Sequence, residues 1–357
     1  MTLPLSATAP PSSSGASRDR RLDAVRALAI VMVLVIHSAS AGLLATPGTA
    51  NWWGALVWGG LARPAVPLFF LCSGALMLCR EITPKRILTH NLPRILCAMF
   101  AWAFVYQVYH LCMDGFTPAG LWAAVKSTLL LRHEFHFYYL HILLLVYAFL
   151  PILRVFVRGA SRRELEYALA VWAVAGILFP LLQEFWPFNR VGPISAWWKM
   201  PMSYAAVGYT LLGHYLRQYG ASFRRRWYVL AWAAGFTITF CGTAVLSLKS
   251  GALSESFLSG MSPGPMLMAV GLFGGILTRP REPDGPVTQL TSLVARASFC
   301  IYLVHILFLQ RFQALGLSGG NTPCFLFVPL TAAALLLCSL LVWAVLSRVP
   351  LVRRYLI

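Results

Sequence analysis

Long unbroken apolar runs decide what this chain can become. They fall near 24–44, 55–78, 92–112, 137–157, 165–182, 202–218, 228–248, 263–278, 293–312 and 323–346, separated by short connections. Each approaches the ~20 residues that an α-helix needs to cross the hydrocarbon core of a bilayer. Inside that core, backbone groups are satisfied only within helices or closed barrels, and barrel strands would alternate apolar with polar residues. These runs do not alternate. The expected fold class is therefore all-α: a polytopic integral membrane protein of about ten transmembrane helices. Charged residues make up 11% of the 357-residue chain and apolar ones 59%. Soluble domains carry about 25% charged residues, so soluble enzymes, disordered chains and disulfide-stapled mini-proteins are excluded together.

The net charge of +18 is organised by topology. Nineteen of the 29 basic residues sit in six clusters, such as Arg154, Arg158, Arg162 and Arg163, and the connections between these clusters are poor in them. Alternation of rich and poor connections is the positive-inside pattern. It puts both termini in the cytoplasm, with 132–136 and 183–201 outside. The expected partner of the arginines is anionic lipid at the bilayer surface, and no nucleic-acid partner is expected.

Residues 1–21 read as a disordered cytoplasmic tail rich in Pro, Ser, Ala and Thr, 22–347 as one transmembrane domain, and 348–357 as a basic cytoplasmic tail. Arg18–Arg21, the following apolar run and Ala39-Ser40-Ala41 imitate a secretory signal with its cleavage site. Asp23, Arg26 and His37 inside the run argue that it is kept as a span. Residues 117–131 read as an interfacial or re-entrant helix, and the five aromatics of 183–201 as an interfacial belt. No internal repeat is evident. None of the eight cysteines forms a CxxC pair, and six lie in apolar runs as small hydrophobes. Only Cys112 and Cys324 approach the outer side, where pairing is left open.

An ionisable residue within a span is a candidate for function. Arg26 and His37 are eleven residues apart. Eleven helical steps return to within about 20° of one face and separate the two by roughly 16 Å. The guanidinium thus stands at the cytoplasmic mouth and the imidazole deep in the membrane. Asp23 lies three residues before Arg26, within pairing distance on a helix. On the outer side, residues 132–141 gather Arg132, His133, Glu134, His136 and two tyrosines. Their helical spacing splits the third histidine away, so no metal is expected. Ser73 sits in Phe-Phe-Leu-Cys-Ser-Gly and not in the G-x-S-x-G nucleophile elbow.

The residues LDAVRALAIVMVLVIH (22–37) resemble the opening helix of the membrane-bound acyltransferase-3 family, with its Arg and His separated by ten residues. In the same order, RPAVPLFFLCSGALML (63–78) is similar to the family's second-helix motif, and Arg94-Ile95 to its third-helix arginine motif. HFYYLHILLLVYAFLPIL (136–153) resembles its His-Leu-Trp-Tyr segment, and SFCIYLVHIL (298–307) its late S-x-x-I-Y-x-x-H motif. Arg63 before Pro67, and Gly264-Pro265-Met266, resemble the enterobacterial-common-antigen O-acetyltransferase subgroup. Two departures stand out. Tyr138 replaces the Trp, and His90-Asn91-Leu92-Pro93 stretches the arginine motif away from Arg86.

The resemblance implies an O-acyltransferase of the bacterial inner membrane. It would move an acyl group, by the subgroup acetyl, from cytoplasmic acyl-CoA to a hydroxyl of an envelope glycan or lipid-linked precursor. Acetyl-CoA would be a co-substrate, with no tightly bound cofactor. His37 would be the catalytic base, ordered by Asp23 and Arg26; transient acylation of His37 is the open alternative. Arg26, Arg86 and Arg94 would bind the donor's phosphates through forked donors. Arg63, Ser73, Glu134, His136, Tyr139, Tyr302 and His305 are the candidates for acceptor contact or support. The competing reading is a secondary transporter or flippase, which would ordinarily need carboxylates near the midplane. All 11 acidic residues fall in connections or at span ends, with Asp23 the nearest approach.

Overall fold

The computed structural model describes residues 19–81, 83–132, 134–191, 197–280, 283–316 and 323–357. Most of the expected N-terminal tail and His133 therefore lie outside the described residues. The described chain is helical, with no strand among these residues. In order come α1 (Arg20–Leu43), α2 (Ala50–Ala62), α3 (Ala65–Met77), α4 (Leu92–Asp114), α5 (Pro118–Leu129), α6 (Tyr138–Gly159) and α7 (Arg162–Trp172). These are followed by α8 (Met202–Tyr219), α9 (Arg225–Ser250), α10 (Pro263–Leu277), α11 (Pro286–Ala314), α12 (Cys324–Leu346) and α13 (Pro350–Tyr355). Among the described residues, eight helices, α2–α3 and the extensions of α4, α6 and α7 counted in, are long and apolar enough to cross a membrane. The runs expected at 202–218 and 263–278 are helices too, but α8 is more polar and α10 has only 15 residues.

Local chemistry sets the helix starts. Thr49 and Thr117 accept from the backbone N–H of Trp52 and Gly120, and Ser161 forms a capping box with Glu164. Pro118, Pro263 and Pro286 occupy first-turn positions, where a missing N–H costs nothing.

α1 is wrapped by α2, α3, α11 and α12, so it forms the centre of the bundle. α8 is held against α3 by close backbone approach. A Cβ on Gly74 would land on the Thr210 carbonyl, and one on Gly213 on the Leu71 carbonyl. Small residues at such crossings are how helices gain van der Waals contact where no hydrophobic drive exists between them.

At one end of the bundle, Arg158 and Arg154 donate to Glu81 at 2.7 and 3.1 Å, tying the turn after α3 to α6. The bond from Arg158, with the Arg154 charge beside it, holds the Glu81 carboxyl below the usual range. α5 packs on α4 at the other end. All eight cysteines are free, Cys112 and Cys324 included, and Cys79, Cys97 and Cys241 face outward instead of into the core.

Candidate active site

Two stripes of polar side chains face each other where α1 packs along α11. Arg26 and His37 lie on α1; Ser298, Tyr302 and His305 lie on α11. Arg26 Nη2 donates to Ser298 Oγ at 3.2 Å. Further along, the His37 and His305 rings stand 5.0 Å apart between centroids. Both helices meet their partners in the same order, so they run parallel. One turn nearer the start of α1, Asp23 is 5% exposed and accepts from Ser292 Oγ at 3.5 Å, which anchors α1 on α11.

The third wall is the broken helix α2–α3. Pro64 cannot donate to Gly60, whose carbonyl is taken instead by the Arg63 N–H at 3.3 Å. Arg63 therefore caps α2 near the middle of a 28-residue apolar segment, beside His37. Its Nε has no hydrogen-bond partner.

The fourth wall begins with the 3₁₀ turn Phe135–Phe137 and continues into α6. The Tyr302 hydroxyl donates to the His136 carbonyl and so holds this turn on α11. Phe135 meets the His37 ring edge-on at 5.4 Å, and the His136 and His305 rings are 5.4 Å apart.

These walls enclose two adjoining cavities. The first, of about 300 Å³, is lined by Arg26, Ser73, His90, Asn91, Arg94 and Ser298 among apolar and aromatic groups. The second, of about 90 Å³, is lined by His37, Arg63, His136, Tyr138 and others. Val33, Val66, Tyr139 and Tyr302 border both, so they form the waist between them. Neither lining contains Asp or Glu. Leu258, Gly260 and Met261, from the connection before α10, close the second cavity, and the Tyr209 hydroxyl fixes that connection by donating to the Gly260 carbonyl at 2.7 Å.

The expected site residues divide accordingly. Arg26 and Arg94 reach the first cavity, where Arg94 Nη2 also donates to the Ile357 main-chain oxygen at 2.7 Å. Arg86 does not reach it and is exposed on the short turn Pro84–Arg86. The cause is the π-turn Ile87–Asn91, whose closing N–H, from Leu92, reaches back five residues to Ile87. That extra residue, placed just before Pro93, aims His90 and Asn91 at the cavity and breaks the register from Arg86 to Arg94. His90, which in the sequence only stretches the arginine motif, belongs to the cavity wall.

Ser73 lines the first cavity and not the second, and its Oγ donates to the Phe69 carbonyl at 2.9 Å. Glu134 lines neither. It is held by His110 at 2.6 Å and by Gln310 at 3.4 Å, so it ties α4 to α11 as a scaffold contact. Arg63, His136, Tyr139 and Tyr302 line the second cavity. His305 lies behind His37 and lines neither. No three His, Cys, Asp or Glu side chains among the described residues are disposed to hold a metal ion.

Chemically, the first cavity suits an elongated molecule that is anionic at one end and apolar along its length. The second offers an imidazole and a guanidinium within a small enclosed volume. Residues 19–347 match the sequence family described as an acyltransferase domain, acyltransferase-3. No curated protein and no solved structure matches the chain.

Proposed function

The chain belongs to the acyltransferase-3 family and is a membrane acyltransferase, and from that premise we propose that it acetylates a hydroxyl of an envelope glycan or lipid-linked precursor. The donor is acetyl-CoA on the cytoplasmic side of the bacterial inner membrane, and the acceptor enters from the outer side. The observation that carries this reading is the pair of cavities meeting at one waist, with Arg26 and Arg94 at one end and His37 beyond it.

The donor's phosphates meet Arg26 and Arg94, whose forked donors suit phosphate oxygens. Its pantetheine arm runs past Phe69, Leu76, Leu143 and Tyr147 toward the waist. There the thioester carbonyl comes within reach of an acceptor hydroxyl in the second cavity. His37 takes the hydroxyl proton, since a neutral imidazole offers the nitrogen lone pair that a general base needs. Arg63 Nε, a donor with no partner of its own, is suited to the oxyanion that develops on the carbonyl. The second cavity's small volume favours acetyl over a long acyl chain, in line with the resemblance to the common-antigen subgroup.

A carrier would need midplane carboxylates along its path, and neither lining provides one. The test uses the purified protein in detergent with acetyl-CoA and an envelope glycan fraction. CoA release that depends on the glycan supports the reading. Solute flux in vesicles without CoA release overturns it.

A further inference from the structure

His305 Nε2 is fully buried and has no hydrogen-bond partner. The ring's other nitrogen fixes what Nε2 presents. Nδ1 lies 2.8 Å from the Tyr302 carbonyl oxygen and 3.2 Å from that of Ile301. Carbonyls only accept, so Nδ1 carries the hydrogen and Nε2 holds a bare lone pair. Leaving such an acceptor unsatisfied in a dry interior is costly, and a persisting one calls for an explanation.

The nearby hydroxyls are committed elsewhere. Tyr302 donates to the His136 carbonyl, and Tyr106 to the Leu303 carbonyl at 2.9 Å. Glu134 is engaged by His110 and Gln310. The titratable rings that face His305 from other elements are His37 on α1 and His136 before α6. Of these two, His37 is only half-buried and borders the second cavity, where its ring has room to turn. The order is therefore cavity, His37, His305.

We propose that His305 is a positioning residue for His37: its Nε2 accepts the His37 N–H that points away from the cavity. The rings are 5.0 Å apart and tilted by 41°. Rotation about the broad terminal torsion of His37 closes the contact. This inference rests on the acyltransferase reading and deepens it. During transfer the acceptor's proton moves to the cavity-facing nitrogen of His37 while the acceptor oxygen bonds to the thioester carbon. The carbon–sulfur bond then breaks, and the proton returns from His37 to the departing CoA thiolate. His305 fixes the His37 tautomer before the step and accepts from the imidazolium during it. A base ordered by a third group is the recurring logic of such sites. Here a neutral imidazole backed by two carbonyls takes the part usually played by a carboxylate, in a site whose linings hold none.

The test compares His305→Leu with His305→Gln, whose amide oxygen can stand near the Nε2 position. Two readouts are taken on the full-length protein in detergent: acetyl-CoA turnover with the envelope glycan fraction, and carbethoxylation of His37 by diethylpyrocarbonate followed by mass spectrometry. His305→Leu is expected to lower kcat on the order of 10²-fold while the KM for acetyl-CoA stays within about twofold. His305→Gln should recover at least about a tenth of wild-type kcat, and His37 modification should slow in the Leu variant and recover in the Gln variant. Unchanged His37 reactivity in both variants overturns the proposal, as does a Leu variant with wild-type kcat. If the wild type shows no turnover but His37 reactivity follows residue 305, the acyltransfer scheme falls and the histidine pair stands.

Discussion

Replacing Arg26 with alanine should weaken acyl-CoA binding, and the structure sets how strongly. The guanidinium has five N–H donors, and one is spent on Ser298 Oγ at 3.2 Å. The rest remain available to the first cavity, where no carboxylate competes for them. Losing a charge-assisted contact to a phosphate costs about 1.5–3 kcal/mol, or roughly 10–150-fold in affinity. Ser298→Ala is the matched control. It leaves the charge in place and removes a bond that aims Arg26, so the loss should be smaller, about 0.5–1.5 kcal/mol, or roughly 2–10-fold. Ser298 also donates to the Ala295 carbonyl at 2.9 Å, so a helix bond and not a cavity bond is lost with it. Arg26→Lys should recover little if binding is bidentate, because Lys offers a point charge. Calorimetric titration of CoA into detergent-solubilised variants measures all three, with His136→Ala expected to match wild type. If Arg26→Ala binds CoA like wild type while His136→Ala loses affinity, the assignment of donor and acceptor cavities is reversed.

Other consequences follow from the same geometry. Val66→Ala should widen the waist and raise turnover with propionyl- and butyryl-CoA relative to acetyl-CoA, whereas Val66→Phe should block transfer and leave CoA binding intact; competition among acyl-CoAs reads both. Gly74→Val would drive a side chain into the Thr210 carbonyl, and should cost about 1–3 kcal/mol through overpacking, seen as a lowered thermal midpoint. In a cysteine-free background, an impermeant thiol reagent should label a cysteine at position 188 from outside the cell and spare one at 225; labelling at 225 would invert the topology.

Much of this arrangement is legible in the sequence because it lies within single helices. The apolar runs mark the helices, and the eleven-residue interval from Arg26 to His37 puts both on one face. The Ser298, Tyr302, His305 spacing gives the opposing stripe in the same way. What is not legible depends on local irregularity or on distant partners. The π-turn at 87–91 adds a residue to the turn, so the family resemblance carries Arg86 toward a site it does not reach and leaves out His90 and Asn91. Glu134 looks like a site residue among its aromatic neighbours, yet His110 and Gln310, far away in sequence, engage it. The break at Arg63 is signalled by Pro64, but its placement beside His37 emerges only once α2 folds back on α1.

The central claim is that His37 performs the proton transfer between the two cavities. Turnover of acetyl-CoA with the glycan acceptor should fall by at least ~10²-fold in both His37→Ala and His37→Asn. CoA affinity and thermal midpoint should stay at wild-type values, because His37 borders the second cavity and not the first. If either variant, folded and able to bind CoA, retains more than about a tenth of wild-type turnover, His37 is not the base and the account fails.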